Sequence, residues 1–315
     1  MATGSVRIMT GNGYRSSVYA EAHGEWGTPR YLPSCGGWLL ERSIPGTTWH
    51  DAANCYPLFA CSDWSQLEED VRSIDDGCVA VAMATDPFAP LELDRLRRCF
   101  TFVNAWKEHL VVDLSKRTAH VLPARHRRNL AMAARRVDVE LCERPIDHLE
   151  EWCRLYDFLC GRHSVTGHRA FSRQSFAIQL RTPGVVMFRA HVGGAVVGIH
   201  LWFVDHDVAY GHLGATSKHG YDTMASYPLY AKAIEHFSGI AAWASLGAAP
   251  GIVRSTDGGL LRFKRGWATG VRPVFFCGKI VDERKYAHLV SSCTDTSGFF
   301  PRYRAADICT SGVGG

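Results

Sequence analysis

Lys264 stands in R-F-K-R-G-W (262–267). Read as a short amphipathic helix, residues 260–267 turn Leu260, Leu261 and Phe263 inward. Lys264 then falls beside Leu260 and Leu261 at i+4 and i+3, so its cation points at a half-buried place. A solvated lysine on a helix flank is the plain alternative. His212 lies in Y-G-H-L-G-A, where strand alternation predicts Tyr210, His212 and Gly214 on one face. A neutral histidine can take a proton from an amine because its pKa sits near working pH. With fifteen histidines in the chain, a hydrogen-bonded core histidine is the competing reading. Asp257, just before Gly258–Gly259, is either a base or the N-cap of the following helix. Lys107, Glu108 and His109 stand at the entrance of a strand that ends in Asp113, with Lys107 and His109 on one face. They are substrate-side groups or a charge set on an edge strand.

Charge is concentrated in one place. Residues 104–136 hold eight Lys or Arg against two acids, a local +6, whereas the whole chain carries only +4. Arg125 and Arg128 share one helix face there, and such a face can neutralise several phosphates in a salt-sensitive contact. A solvated helix face is the alternative. A polar loop, S-K-H-G-Y-D-T-M-A-S (217–226), contains Lys218 and ends where a helix begins at Ser226 and Tyr227. Backbone N–H groups at that helix start can hold an anionic group.

Other chemistries lack their residues. No G-x-S-x-G nucleophile elbow occurs, and no H-E-x-x-H metal spacing, so no metal is expected. Eleven scattered cysteines without a C-x-x-C pair indicate neither a zinc site nor a disulfide frame, which points to reduced thiols and a cytoplasmic protein. The longest apolar stretches, 78–84 and 193–204, are short of the ~20 residues that a membrane span needs. A length of 315 residues, 46% apolar and 21% charged, suits about two globular domains.

The elements that must position these residues alternate. Residues 1–30 read as a flexible lead-in and 309–315 as a flexible tail. A first α/β unit, 31–144, has strands at 37–42, 78–85, 108–114 and 139–142, with helices at 65–74, 91–102 and 125–136. A second unit, 145–308, runs helix (147–161), three antiparallel strands (185–191, 196–204, 208–215), the polar loop, helix (226–237), strand (243–246), short helix (260–267) and strand (271–280).

That order resembles the acyltransferase fold of the GNAT superfamily. K-E-H-L-V-V-D-L (107–114) followed by R-H-R-R-N-L-A-M-A-A-R-R (125–136), S-L-G-A-A-P-G (245–251), G-G-L-L-R-F-K-R-G-W (258–267) and F-F-P-R-Y-R (299–304) are similar to stretches of FemAB-related transferases. The resemblance implies an α/β (α+β) fold of two tandem GNAT-like domains, each a mixed, mainly antiparallel sheet flanked by helices. It implies amide formation with aminoacyl-tRNA or acyl-CoA as co-substrate and no bound cofactor. It implies that Lys264 meets a substrate carboxylate, phosphate or oxyanion. It implies a substrate-side position for Lys107, Glu108 and His109, and Lys107, His109 and Trp267 are the acceptor-binding candidates.

Amide formation needs an amine that loses a proton, donors for the tetrahedral oxyanion, and cations for the carrier's phosphates. Lys264, His212 and Asp257 are the catalytic candidates. Arg125, Arg128, Lys218, Ser226 and Tyr227 are the donor-binding candidates. In acetyl-CoA-using relatives an R/Q-x-x-G-x-G/A turn holds the pyrophosphate. Here Asp222 takes the place of its second small residue, and an acid repels phosphate. The sequence therefore favours aminoacyl-tRNA over acyl-CoA, with a small amine as acceptor. A non-catalytic RNA-binding module on an acyltransferase scaffold is the alternative.

Overall fold

The computed structural model describes residues 11–74, 77–116, 122–248, 258–291, 293–294 and 298–305. In chain order they form α1 (Ser17–Glu21), β1 (Thr28–Leu32), β2 (Gly37–Ser43), β3 (His50–Asn54), α2 (Leu67–Arg72), β4 (Cys78–Ala84), α3 (Leu93–Cys99), β5 (Phe102–Asp113), α4 (Ala124–Ala133), β6 (Asp138–Cys142) and α5 (Leu149–His163). Then follow α6 (Arg173–Gln179), β7 (Val185–Val192), β8 (Ala195–Asp205), β9 (Val208–Thr216), α7 (Lys218–Asp222), α8 (Ser226–Phe237), β10 (Trp243–Gly247), α9 (Gly259–Arg265), β11 (Gly270–Ile280) and α10 (Glu283–Val290). No described helix is long and apolar enough to cross a membrane. The ten described cysteines are free thiols.

The elements belong to two compact units that interleave along the chain. Unit I holds residues 11–16, 109–159 and 179–271; unit II holds 17–108, 160–178 and 272–305. The expected single cut between 144 and 145 therefore does not describe the division. Strand β5 leaves unit II after Glu108 and enters unit I at His109, and β11 lies mostly in unit II. Sequence order hides this, because a strand joins whichever neighbour offers its free edge.

In unit I the strands run β5–β10–β9–β8–β7–β6. Only β9 and β10 are parallel; the other pairs are antiparallel. Strand β8 is buried at every residue after Ala195, the mark of a strand covered on both faces. Trp202 turns to α8, with Phe237 at 5.1 Å and Tyr230 at 6.2 Å between ring centres. Phe203 turns the other way, edge-on to Tyr14 at 5.3 Å. The β7–β8 hairpin closes through Gly193 and Gly194, both at positive φ, as a two-residue turn of the favoured twist requires.

In unit II the strands run β1–β2–β3–β4–β11, with β3 and β4 parallel. Every residue of β4, C-V-A-V-A-M-A, is buried. Val81 and Met83 enter one apolar cluster with Leu39, Phe59, Leu67 and Leu96, and Ala80 and Ala82 enter another with Tyr286 and Phe300. Two buried carboxylates are satisfied, as burial demands. Asp51 accepts from Arg42 Nε and Arg304 Nε, each at 2.8 Å. Asp70 accepts from the backbone N–H groups of Ser34 and Cys35.

The expected flexible lead-in is corrected from Gly11 onward. Tyr14 and Tyr19 are buried, α1 and β1 form, and Asn12 bridges to Asp205 in unit I. Aromatic anchors outweigh the Gly and Ser content that suggested mobility. The 309–315 tail lies outside the described residues.

His23 follows α1 in unit II and is only 2% exposed. Its Nδ1–H donates to Tyr19 O at 2.9 Å, and Phe171 packs edge-on at 5.6 Å. Burial pushes its pKa down to about 4. A folded pKa below the unfolded one means that folding favours the neutral ring. This stability is complete above the unfolded value and is lost as pH falls toward 4. Between pH 7 and about 5 the loss is about 2 kcal/mol for this group. Denaturant melts at the two pH values should show it, and His23→Gln should flatten the difference.

Candidate functional site

Helix α9 has seven residues, too few to stand alone in water. It is held by α4 and α8. His126 on α4 donates Nε2–H to Phe263 O at 2.9 Å and stacks on the Phe263 ring at 5.6 Å. Phe263 also packs edge-on against Tyr227 at 4.9 Å and Tyr230 at 5.0 Å, both on α8. Gly266 caps the helix directly under the His126 ring. A Cβ there would lie 2.1 Å from His126 Cε1, so only glycine permits this approach. Trp267, expected on the acceptor side, is instead 3% exposed and stacked on Tyr230 at 6.0 Å. Its large apolar ring fills the core beneath α9, out of reach of a ligand.

These contacts aim Lys264 at the end of β10. Its Nζ donates to Ala248 O at 3.3 Å and lies 3.4 Å from where a Gly247 Cβ would stand. That is where two strands part. β9 and β10 pair in parallel over Val208–Trp243, Ala209–Ala244 and Tyr210–Ser245. Strand β10 then bulges between Ser245 and Gly247 and continues beside β5, with Gly247 opposite Leu110. Strand β9 continues to Thr216 beside β8. His109 Nδ1 meets Ser245 Oγ at 3.2 Å, at the point of parting.

On the β9 side stands a residue that the sequence reading did not single out. His200 on β8 is opposite Gly214 and only 7% exposed, while Gly214 itself is exposed. Tyr230 packs edge-on to the His200 ring at 5.0 Å. Burial, with the Lys264 charge adding to it, pushes the His200 pKa down to about 3. The available signal was one polar residue in the apolar run I-H-L-W (199–202).

His212 lies elsewhere. A bulge in the β8–β9 ladder pairs Leu201 with Leu213 but Trp202 with Gly211, which leaves His212 as the extra residue. The expected face shared by Tyr210, His212 and Gly214 is thereby split. His212 packs on Phe203 and Tyr14, and Gly214 faces His200. Both ring nitrogens are engaged: Nε2–H donates to Gln179 Oε1 at 3.1 Å, and Nδ1 accepts from the Tyr14 hydroxyl at 3.2 Å. A histidine so bound is poorly placed to take a proton from an amine. Asp257 lies outside the described residues.

Arg125 and Arg128 are exposed on α4, as a phosphate-binding face requires. The loop after β9 is a different matter. Lys218 is exposed and pairs with Asp222 at 3.0 Å one helical turn on. Ser217 caps the loop by accepting from Gly220 N–H. The N–H groups of Tyr221, Thr223, Met224, Ala225 and Tyr227 all donate to carbonyls within residues 217–224. Pro228 has no N–H, and Leu229 donates to Ala225 O. The anion cradle expected at Ser226 and Tyr227 is thus largely consumed by the loop itself, and the Tyr227 hydroxyl accepts from Asn129 on α4 at 2.8 Å. A pocket beside the loop is lined by Met132 of α4, by Arg135 and Arg136 in the turn that follows it, and by Asp222, Thr223 and Met224.

Lys107 belongs to unit II. It is half-buried, its ammonium lies 4.6 Å from the centre of the Trp106 ring, and its pKa is lowered to about 8 by burial, with Arg169 repelling its charge. Among the described residues no cluster of His, Cys, Asp or Glu is fit to hold a metal ion.

Comparison with known proteins agrees with this architecture. Residues 123–240 match the family model described as Acetyltransferase (GNAT) domain. No curated protein matches the chain. Among solved structures, FemX matches with a TM-score of 0.63 at 12% identity, over 87% of this chain and 93% of FemX. The C-terminal domain of a putative lysylphosphatidylglycerol synthetase from Agrobacterium fabrum matches with a TM-score of 0.61 at 17% identity, over 86% of this chain and 90% of that one. L-PGS from Bacillus licheniformis matches with a TM-score of 0.51 at 12% identity, over 87% and 94%. At such identities the structures speak to the fold. Residues 123–240 are thus similar to a GNAT acetyltransferase domain, and the chain shares its fold with FemX and with the lysylphosphatidylglycerol synthetase domain.

Proposed function

We propose that this protein transfers an aminoacyl group from aminoacyl-tRNA to the amine of a small acceptor. The observation that carries the reading is Lys264, held by α4 and α8 over the gap between β9 and β10. In such a gap an extended acyl ester can lie with its carbonyl near the ammonium. The acceptor nitrogen attacks the carbonyl carbon, negative charge gathers on the carbonyl oxygen, and Lys264 stabilises it. The ester C–O bond then breaks, and the carrier hydroxyl leaves with the proton that the amine gives up. No covalent enzyme intermediate is required.

The closed loop supports tRNA over CoA as carrier. A pyrophosphate needs free backbone N–H groups at the helix start, and here they are largely spent within residues 217–227. The exposed arginines of α4 remain available for a polyanion, and α4 is the helix that grips α9. The placement of Lys264 also distinguishes this reading from a non-catalytic RNA-binding role, which has no use for a cation over a strand gap.

Mass spectrometry of the natively purified protein, with and without nuclease, tests the carrier directly. A tRNA that co-purifies and whose removal abolishes transfer is the expected result; nuclease-insensitive activity with a CoA thioester would overturn it. Lys264→Ala should lower turnover at least ~100-fold in the same assay; a near-normal rate removes Lys264 from the chemistry. Arg125→Ala with Arg128→Ala should weaken carrier binding and flatten its dependence on salt; unchanged affinity across a salt series would leave those side chains merely solvated.

A further inference from the structure

We infer that His200 is a second hydrogen-bond donor to the reacting carbonyl, so that its imidazole N–H and the Lys264 ammonium converge on the oxygen of an acyl ester lying over Gly214. This rests on the acyl-transfer reading above and adds a residue to it.

Four observations place His200 there. The residue is only 7% exposed and no hydrogen bond to its ring is formed among the described residues, yet its ring nitrogens are not among the fully buried atoms that lack a partner. The ring nitrogens thus keep an open side, where the acceptor atom of a ligand can reach them. Beside it the sheet is open: Gly214 is exposed, and a Cβ at that position would lie 2.8 Å from His200 Cδ2. The missing side chain leaves a flat floor beside the Cδ2–Nε2 edge of the ring. Tyr230 fixes the ring by edge-on contact and also touches Phe263, the neighbour of Lys264 in α9. Finally, the Lys264 ammonium is close enough to His200 to disfavour its protonation.

A ring that stays neutral keeps one N–H to donate and does not compete for the amine's proton. When the acceptor nitrogen attacks, the carbonyl π pair moves onto oxygen, between the ring N–H and the ammonium. When the C–O bond to the carrier breaks, the pair returns and the amide carbonyl forms. His200 and Lys264 end in the protonation states in which they began. The proton lost by the amine leaves with the carrier oxygen.

The test uses the full chain with hydroxylamine as the acceptor probe. Bulk aminoacyl-tRNA charged with radiolabelled amino acids is the donor in one arm and acetyl-CoA in the other. His200→Phe keeps a ring against Tyr230 and removes the N–H; His200→Gln restores a donor. His200→Phe should lose about 100-fold in kcat with KM little changed, and His200→Gln should recover part of it. If Lys264→Ala abolishes hydroxamate formation while His200→Phe stays within about two-fold of wild type, His200 only packs, and the acyl-transfer reading stands without it. If wild type forms no hydroxamate, or both variants match it, the acyl-transfer reading falls as well. A readout that needs no variant is the long-range 1H–15N spectrum of the wild type. The His200 ring should be neutral at about pH 5, and a protonated ring there would overturn the inference.

Discussion

The hydrogen bond from His126 to the carbonyl of Phe263 fixes where Lys264 stands in unit I. Helix α9 is too short to define its own position, yet it carries Lys264. One buried imidazole on α4 fixes its carbonyl end, and the absence of a side chain at Gly266 lets that imidazole approach. The aromatic rings of Tyr227, Tyr230 and Trp267 then fill the remaining space. The tip of a flexible lysine is useful in catalysis only if its base is rigid, and here rigidity comes from neighbours rather than from helix propensity. The same helix, α4, offers exposed arginines on its outer side. Grip on α9 and a basic outer face are thus two sides of one element.

Backbone donors are a finite resource, and the loop after β9 spends most of its own on local carbonyls. A glycine-rich turn that leaves N–H groups pointing outward can cradle phosphate. Here the turn becomes the five-residue helix α7, capped by Ser217, and its N–H groups satisfy carbonyls of its own loop. Gly220 serves packing: a Cβ there would meet Val197 O at 2.3 Å. Asp222 pairs with the exposed Lys218. The residue that looked repulsive to phosphate also occupies the nearest cation.

A single extra residue in β9 decides which histidine faces the strand gap. Side chains alternate across a strand, so one bulge reverses the faces on either side of it. His212 stays on the face of Tyr210, toward Tyr14 and Gln179, where both nitrogens are engaged, and the extra residue turns Gly214 to the opposite face. His200, on the neighbouring strand, is left opposite exposed Gly214 with its ring unbonded. Alternation counted along the chain cannot detect such a reversal, since the bulge belongs to the pairing and not to the strand's own pattern.

Apolar spacing and turn residues determined the order of the strands and of the other helices from residue 147 to 280, though not α6 or α7, together with the Gly193–Gly194 hairpin, and charge spacing placed Arg125 and Arg128 on the exposed side of α4. These depend on neighbours a few residues apart. Periodicity likewise placed Lys264 on the flank of a short helix. The tertiary structure decided the rest. Trp267 went to the core because, just past α9, its ring stacks on Tyr230. The loop donors were consumed by hydrogen bonds that form only once α7 folds. Strands β5 and β11 were assigned between the interleaved units by edge pairing over long sequence separations. The N-terminal segment from Gly11 became ordered because Tyr14 finds Phe203 and Tyr210, nearly two hundred residues away. Local propensity carries no trace of such contacts, whose free energy comes from surfaces that meet only in the folded chain.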